Sequence, residues 1–362
     1  GGAGHIPPWG RRERSALSSS LVIAGIGDDC AILHPAFGNE VLVTTDFTLE
    51  TVHFRREWHT PESVGHRCLA RGLSDLAAMG AKPLAAFFSL ALPVELVQSD
   101  ARRPSWRERF FEGFLSLADK YKVPLAGGDT AQSPLIAAAS SRRKPPRSTA
   151  TGLALMDIIL VGTAPRGRSL RRSTAKAGDR IYVTGFLGGA AAELQQLAKN
   201  GWRFRNATAA SQEAGMPNPH PHLFPEPRLA VGAWLLKNRR ATSAIDISDG
   251  LSTDLDHLCE ESGLTATIDA SAIPVHPIAL RVAGGDRDKA LQFALHGGED
   301  YELLFTASQK MPIPRRIAGV PITCIGEMRA AKSRTPRVQL VEVIDGREFS
   351  RPLAPGGWEH FT

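Results

Sequence analysis

No run of about 18 apolar residues occurs in the 362-residue chain, so no segment reads as a membrane-spanning helix. Residues 1–20, GGAGHIPPWGRRERSALSSS, lack the apolar core of a secretory signal peptide. Cysteine is scarce: Cys30, Cys68, Cys259 and Cys324 lie far apart and form no CxxC pair, which argues against a disulfide scaffold and against a zinc ribbon. A reducing cytoplasm is the expected location. There is no HExxH, no GxxxxGK[ST] and no HRD or DFG set, so zincin, P-loop and protein-kinase chemistry are all disfavoured.

The net charge of +6 is unevenly distributed. Between Ser140 and Lys176 stand nine basic residues (Arg142, Arg143, Lys144, Arg147, Arg166, Arg168, Arg171, Arg172 and Lys176) against one acid, Asp157. That stretch carries +8, which leaves about −2 for the rest. It holds no aromatic platform, and nucleic-acid binding is therefore not expected.

Apolar runs alternate with amphipathic stretches. Strands are expected at 41–46, 84–93, 123–128, 153–162, 180–185, 243–248, 301–306 and 321–326, and helices at 61–79, 104–121, 188–200 and 249–261. Pro61 suits a first helical turn, and Leu69, Leu73, Leu76 and Ala77 share one face of the helix it opens. The alternation argues for an α/β or α+β protein. Residues 201–226 read as a Pro-rich loop. SSRRKPPRS at 140–148 is breaker-rich and basic, so 136–152 reads as an insertion. The expected organisation is a tail over 1–20, a first domain over 21–165 and a second over 166–362.

Five short motifs place aspartates at expected strand ends or turns: GIGDDC (25–30), TTD (44–46), LSDLAAMG (73–80), GGDT (127–130) and DISDG (246–250). Mg²⁺ prefers hard oxygen ligands, and this many carboxylates in one cleft would repel unless metal ions and phosphates were present. Taken singly, each motif has an ordinary reading. Asp75 fits a solvated helix face, Asp29 and Asp46 fit turn or strand-end positions, GGDT fits a glycine turn, and Asp249 fits a helix N-cap. TGFLGG (184–189) reads as an anion-binding loop or as a tight packing turn.

Taken in order, GIGDDCAIL, TTDFTLETVHF, LARGLSDLAAMGAKP, GGDT, AKAGDRIYVTG, AIDISDGLSTDL and GGEDYELLF closely resemble the thiamine-monophosphate kinase family. The resemblance runs over about residues 24–362, with a gap near 136–152. It implies a two-domain aminoimidazole ribonucleotide synthetase-like fold of mixed α/β and α+β character. The N-terminal domain would bind ATP and Mg²⁺ and pair its sheet with a second subunit in a homodimer. The C-terminal domain would be α+β, and ATP would lie in a cleft between the two. By the same resemblance, Asp29, Thr44, Thr45, Asp46, Asp75, Asp129, Asp246 and Asp249 match metal-binding positions. Gly128, Asp129, Arg172 and Ser248 match ATP contacts, and His53, Glu299 and Trp358 match substrate contacts. Local reasoning does not separate Glu299 from its neighbour Asp300. GGDT is followed by AQSP where many relatives carry a basic residue, and Arg172 or the insertion is the expected substitute.

The implied reaction uses ATP and several Mg²⁺ ions to phosphorylate thiamine monophosphate to thiamine diphosphate. The acceptor phosphate is already anionic, so positioning and charge neutralisation carry the catalysis. Two alternatives are another ATP-dependent enzyme of the same superfamily and a catalytically silent nucleotide-binding regulator. The basic loop around Arg142–Arg147 is expected to be dispensable, because exposed loop tips tolerate change. Its deletion should leave melting temperature and kinase activity near those of the intact protein, whereas loss of folding would make it structural.

Overall fold

The protein is described from a computed structural model covering residues 21–26, 30–99, 103–136, 151–200, 218–331, 336–344 and 347–357. The 1–20 tail and the basic loop at 140–148 lie outside the described residues, as do Asp29 and Trp358. The chain divides into two compact units, 1–72 with 83–165 and 73–82 with 166–362. The division at 165/166 falls within the basic stretch between Ser140 and Lys176. The assignment of 73–82 to the second unit has no signal in the sequence. Among the described residues, no helix is long and apolar enough to cross a membrane.

The first unit opens with a small antiparallel pair, β1 (Val22–Ala24) and β2 (Ile32–Leu33). Then follow β3 (Asn39–Leu49), α1 (Pro61–Ala78), β4 (Lys82–Leu92), α2 (Trp106–Tyr121), β5 (Leu125–Gln132), β6 (Leu135–Ile136), β7 (Thr151–Gly152) and β8 (Leu155–Pro165). The main sheet has the order β3-β8-β4-β5. Strands β3 and β8 run antiparallel, whereas β4 and β5 run parallel and are joined through α2. The β6–β7 pair is antiparallel and flanks the basic insertion.

Helix α2 starts at a capping box. The Ser105 hydroxyl accepts the Glu108 N–H at 3.2 Å, and the Glu108 carboxylate accepts the Ser105 N–H at 2.6 Å. Phe88, Phe110, Phe111 and Phe114 form an aromatic core with ring centroids 5.4–6.4 Å apart. Helices α1 and α2 cross where glycines face backbone. A Cβ on Gly65 would fall 1.9 Å from the Phe110 carbonyl oxygen, and one on Gly113 would fall 1.9 Å from that of Glu62. A bidentate pair from Arg109 to Glu62, at 2.6 and 2.9 Å, closes the crossing.

The second unit contains β9 (Asp179–Thr184), α3 (Gly189–Asn200), α4 (Leu229–Lys237), β10 (Ser243–Ile247), α5 (Leu251–Ser262), β11 (Leu264–Asp269), α6 (Pro277–Val282) and α7 (Arg287–His296). It ends with β12 (Glu302–Ser308), β13 (Arg316–Ile317), β14 (Val320–Ala330), β15 (Val338–Ile344) and β16 (Arg347–Pro352). One sheet has the order β10-β12-β9-β14-β11-β15-β16, with β13 paired to β14. Its core includes Ile181, Val183, Leu255, Leu258, Ile268, Leu304 and Leu340. The last turns of α1 pack on α4, where a Cβ on Gly232 would lie 1.9 Å from the Ala77 carbonyl oxygen. That contact explains why 73–82 belongs with this unit.

TGFLGG is a packing turn. The Asp300 carboxylate accepts the N–H of Gly188 at 2.6 Å and of Ala190 at 3.1 Å, and so fills the N-terminus of α3. Burial pushes the Asp300 carboxyl up to about 7; the amides at Gly188 and Ala190 oppose this, and the nearby charge of Glu302 adds to it.

Two outcomes follow from this packing. Gly113→Ala gains a little helix propensity but forces two backbones apart, so it should destabilise by about 1–3 kcal/mol, measured by denaturant unfolding. Asp300 binds its proton more tightly folded than unfolded, where its pKa is about 4. Its contribution to stability is full below about pH 4 and is lost as the pH rises toward 7. Asp300→Asn should therefore flatten the fall in melting temperature across that window, and an unchanged slope would contradict the assignment.

Candidate active site

In the first unit, strand alternation sorts the TTD motif. Thr44 and Asp46 are half-buried on one face of β3, whereas Thr45 is exposed on the other face with Val43 and Phe47. The Thr45 hydroxyl therefore points away from the Asp46 carboxylate. Arg71, on α1, places a guanidinium nitrogen 3.4 Å from that carboxylate. GGDT lies on β5, where it is exposed at Gly128 and Asp129. Gly128 has a φ of +153°, and a Cβ there would lie 2.1 Å from the Phe88 carbonyl oxygen, so only glycine fits. The Thr130 N–H donates to the Asp129 carboxylate at 2.8 Å. Strands β3 and β5 are the two edges of the sheet. Asp46 and Asp129 are therefore separated by three strand spacings, about 14 Å across an open sheet. His53 ends the turn after β3: its Nδ1 accepts the Leu49 N–H at 3.0 Å, and its carbonyl oxygen accepts from Arg67 at 3.2 Å.

In the second unit, the DISDG turn joins β10 to α5. Helix α5 is not capped by Asp249; its N-cap is Gly250, with a φ of +117°. The cap is supplied from inside the helix, where one oxygen of Asp254 accepts the N–H groups of Ser248, Asp249 and Gly250 at 3.0–3.1 Å. Asp249 is thus spared the capping role that its position in the sequence implies. Asp246 is buried, and its carboxylate accepts the Ser74 hydroxyl at 2.7 Å. Asp75, half-buried, is the next residue on α1.

Glycines pack two segments against Ser248 and Asp249. A Cβ on Gly298 would lie 2.6 Å from the Ser248 carbonyl oxygen, and one on Gly357 would lie 1.9 Å from that of Asp249. The N–H groups of Gly356 and Gly357 donate to Ser252 and Thr253 on α5, at 3.3 and 3.1 Å. Trp358 follows directly in the sequence.

The structure separates Glu299 from Asp300. Asp300 is buried and caps α3, whereas Glu299 is half-exposed, with a φ of +67° and its carboxylate 3.3 Å from His222. Arg172 lies in an exposed single turn, Arg172–Thr174, whose backbone is held to α5 by the Ser262 hydroxyl at 2.7 Å.

Carboxylates crowd the DISDG turn. Burial, and then the charges of Asp246 and Asp249, hold the Asp254 carboxyl well above the usual carboxylate range. Ligand atoms of Asp249, Asp254 and His257 lie within 4.8 Å of one another. Hard oxygen donors under mutual repulsion fit a divalent cation such as Mg²⁺. Sequence reasoning missed Asp254, Ser74 and His222. Asp254 had a visible signal, being four residues beyond Gly250 on a helix that lacks a polar N-cap. Ser74 and His222 had none, since their partners lie 172 and 77 residues away.

The family description "AIR synthase related protein, N-terminal domain" matches residues 27–155. The thiamine-monophosphate kinase of Escherichia coli K12 is 37% identical over 97% of this chain and 95% of that protein. The enzyme of Bacillus subtilis 168 is 32% identical over 95% of each. Among solved structures, thiamine-monophosphate kinase from Stenotrophomonas maltophilia K279a superposes with a TM-score of 0.73 at 32% identity, covering 93% of this chain and 95% of that one. AaThiL complexed with AMPPCP and TMP gives 0.68 at 28% identity, covering 96% and 94%. The hydrogenase maturation protein HypE in complex with ATP, 16% identical with a TM-score of 0.65, shares the fold. With its motifs in order and relatives matched along almost its whole length, the chain belongs to the thiamine-monophosphate kinase family.

Proposed function

We propose that this protein transfers the γ-phosphoryl group of ATP to the phosphate of thiamine monophosphate, giving ADP and thiamine diphosphate. The observation that carries this reading is the crowded acid turn at Asp246, Asp249 and Asp254, built on a scaffold whose relative AaThiL was solved with AMPPCP and TMP. Acids held so close, with hydroxyl and backbone donors already committed, are arranged to receive positive charge.

In the first unit, the proposal assigns metal-ligand roles to Asp46 and Asp129, with Thr44 on the same face as Asp46. Their places on opposite sheet edges assign them to different ions, since oxygens sharing one Mg²⁺ lie within about 4 Å of each other. In the second unit, Asp75, Asp246 and Asp249 take the same role. Bound Mg²⁺ would neutralise phosphate charge and align the acceptor oxygen for in-line attack. Gly128, exposed on β5, is assigned to the ATP phosphates, Ser248 offers a hydroxyl at the acid turn, and Arg172 offers an exposed guanidinium. The acceptor oxygen is anionic near neutral pH and needs no strong base.

A cytoplasmic location and a homodimer belong to the same proposal. The outer face of edge strand β3 supports the dimer: Val41, Val43 and Phe47 are 49, 62 and 62% exposed in the single chain, and an apolar row of this kind on a sheet edge calls for a cover.

ATP turnover measured with and without thiamine monophosphate separates this kinase from an enzyme with another acceptor and from a silent regulator. Asp75→Asn tests the metal assignment. It keeps side-chain size and removes one charge, so the ligand-free protein should melt at the same temperature or slightly higher. Thiamine diphosphate formation should fall about 100-fold, because metal charge stabilisation is worth several kcal/mol. Excess Mg²⁺ should restore part of the loss. Near-normal turnover at every Mg²⁺ concentration would remove Asp75 from the site.

A further inference from the structure

The Asp249 carboxylate is half-exposed and makes no hydrogen bond among the described residues. Its direction is therefore set by the backbone of the DISDG turn and not by partners of its own. That backbone is held from both sides. One oxygen of Asp254 takes the N–H groups of Ser248, Asp249 and Gly250. Two other segments cover the carbonyl side. The Glu299 N–H donates to the Ser248 carbonyl oxygen at 2.8 Å. Gly357 lies against the Asp249 carbonyl oxygen, so closely that a Cβ would fall 1.9 Å from it.

The second of these segments is the C-terminal tail, which needs its own fastening. Leu353 is buried, and its N–H donates to the Val338 carbonyl oxygen at 3.0 Å. Ala354, Pro355 and Gly356 are then exposed. Hydroxyls on the first turn of α5 bring the chain back: the Gly357 N–H donates to Thr253 at 3.1 Å, and the Gly356 N–H donates to Ser252 at 3.3 Å. Ser252 is fully buried, and its hydroxyl also bonds to His296 Nδ1 at 2.9 Å. Burial, and then the charge of Arg351, push the His296 pKa down and keep the imidazole neutral near pH 7. A neutral ring can take the hydroxyl proton while an oxygen lone pair takes the Gly356 N–H. His296 is the last residue of α7, and residues 297–299 run from it to Ser248. One hydroxyl thus joins the three segments that border the acid turn: the start of α5, the end of α7 and the tail. A Cβ on Gly356 would fall 2.6 Å from His296 Nδ1, so a glycine is needed where the tail meets this pair.

We propose that Ser252 is a positioning residue. Together with His296 it fastens the C-terminal segment to the DISDG turn, and so fixes the backbone that aims the Asp249 carboxylate at a divalent cation. This inference rests on the reading of Asp249 as a metal ligand. Ser252 is buried and does not itself reach the ion; it acts by narrowing the orientations open to Asp249.

The test titrates Mg²⁺ by calorimetry into the full chain saturated with a non-hydrolysable ATP analogue. Asp249→Asn identifies the binding step that belongs to this turn, as the step it abolishes. Ser252→Ala should weaken that step about 10-fold and leave the other steps within about two-fold. Gly357→Ala, whose methyl group would displace the tail without altering α5, should do the same. In both variants amide hydrogen exchange at Gly356 should speed up. Weakening of every step alike, or of none, would reduce Ser252 to a packing residue and overturn the inference. Unchanged exchange at Gly356 would overturn it as well. If Ser252→Ala does not fold, Gly357→Ala decides. If Asp249→Asn abolishes a step that the other two variants leave intact, the inference fails and the metal role of Asp249 stands. If Asp249→Asn abolishes no step, that role falls and the inference falls with it.

Discussion

Like-charge repulsion at the β10–α5 turn is the constraint around which the second unit is arranged. Asp246, Asp249 and Asp254 fall within nine residues, and two of them are buried. Burying even one carboxylate costs several kcal/mol unless it is hydrogen-bonded or neutralised. Each acid meets the cost differently. Asp254 spends one oxygen on three backbone N–H groups at the start of α5. Asp246 takes the Ser74 hydroxyl from the last turns of α1. Asp249 keeps out of the cap and remains half-exposed. Burial first, and then the charges of Asp246 and Asp249, push the Asp254 carboxyl upward.

Close backbone approach is the means by which this is achieved. Gly298 and Gly357 let two distant segments press against the Ser248 and Asp249 carbonyls, where any side chain would collide. Gly232 does the same between α4 and the end of α1, and so fixes the segment that carries Ser74 and Asp75. Glycine costs conformational entropy on folding. Its concentration at these contacts places that cost where chain separation would otherwise set the acids apart. The same device in the first unit, Gly65 against Phe110 and Gly113 against Glu62, brings α1 and α2 together through residues that belong to none of the acid motifs. Glycine contacts alone therefore do not mark a site; glycine contacts beside unneutralised carboxylates do.

Strands and helices with a strong apolar period were legible in the sequence. The runs at 41–46, 61–79, 84–93 and 180–185 correspond to β3, α1, β4 and β9 within a few residues. Other elements went unread, β11, α4, α6, α7, β15 and β16 among them. Strand β16 is exposed along its whole length, and β15 is identified by its pairing with β11 and β16. Residues 201–226 read as a loop, and the described part, 218–226, is one, but its burial had no sequence signal because Glu193 supplies it from α3. In the candidate site, the acids themselves were legible as motifs, since strand ends and glycine turns are local features. Their division of labour was not. Alternation puts Thr44 on the face of Asp46 and Thr45 on the other, but which of the two faces is covered depends on what packs against β3.

Glu299 and Asp300 make the same point at the scale of one peptide bond. Both are acids after a Gly-Gly turn, and composition treats them alike. The positive φ at Glu299 turns the chain so that successive side chains leave in unrelated directions. Asp300 is carried into the start of α3, where two amides await an acceptor, and burial holds its proton on to about pH 7. Glu299 stays partly exposed, with its carboxylate 3.3 Å from the buried imidazole of His222. One carboxylate is consumed by the fold, and the other is held at its edge. Of the two, Glu299 is the one that a ligand could reach, since Asp300 is buried against the start of α3. Backbone conformation therefore gives the two acids different surroundings before any ligand arrives.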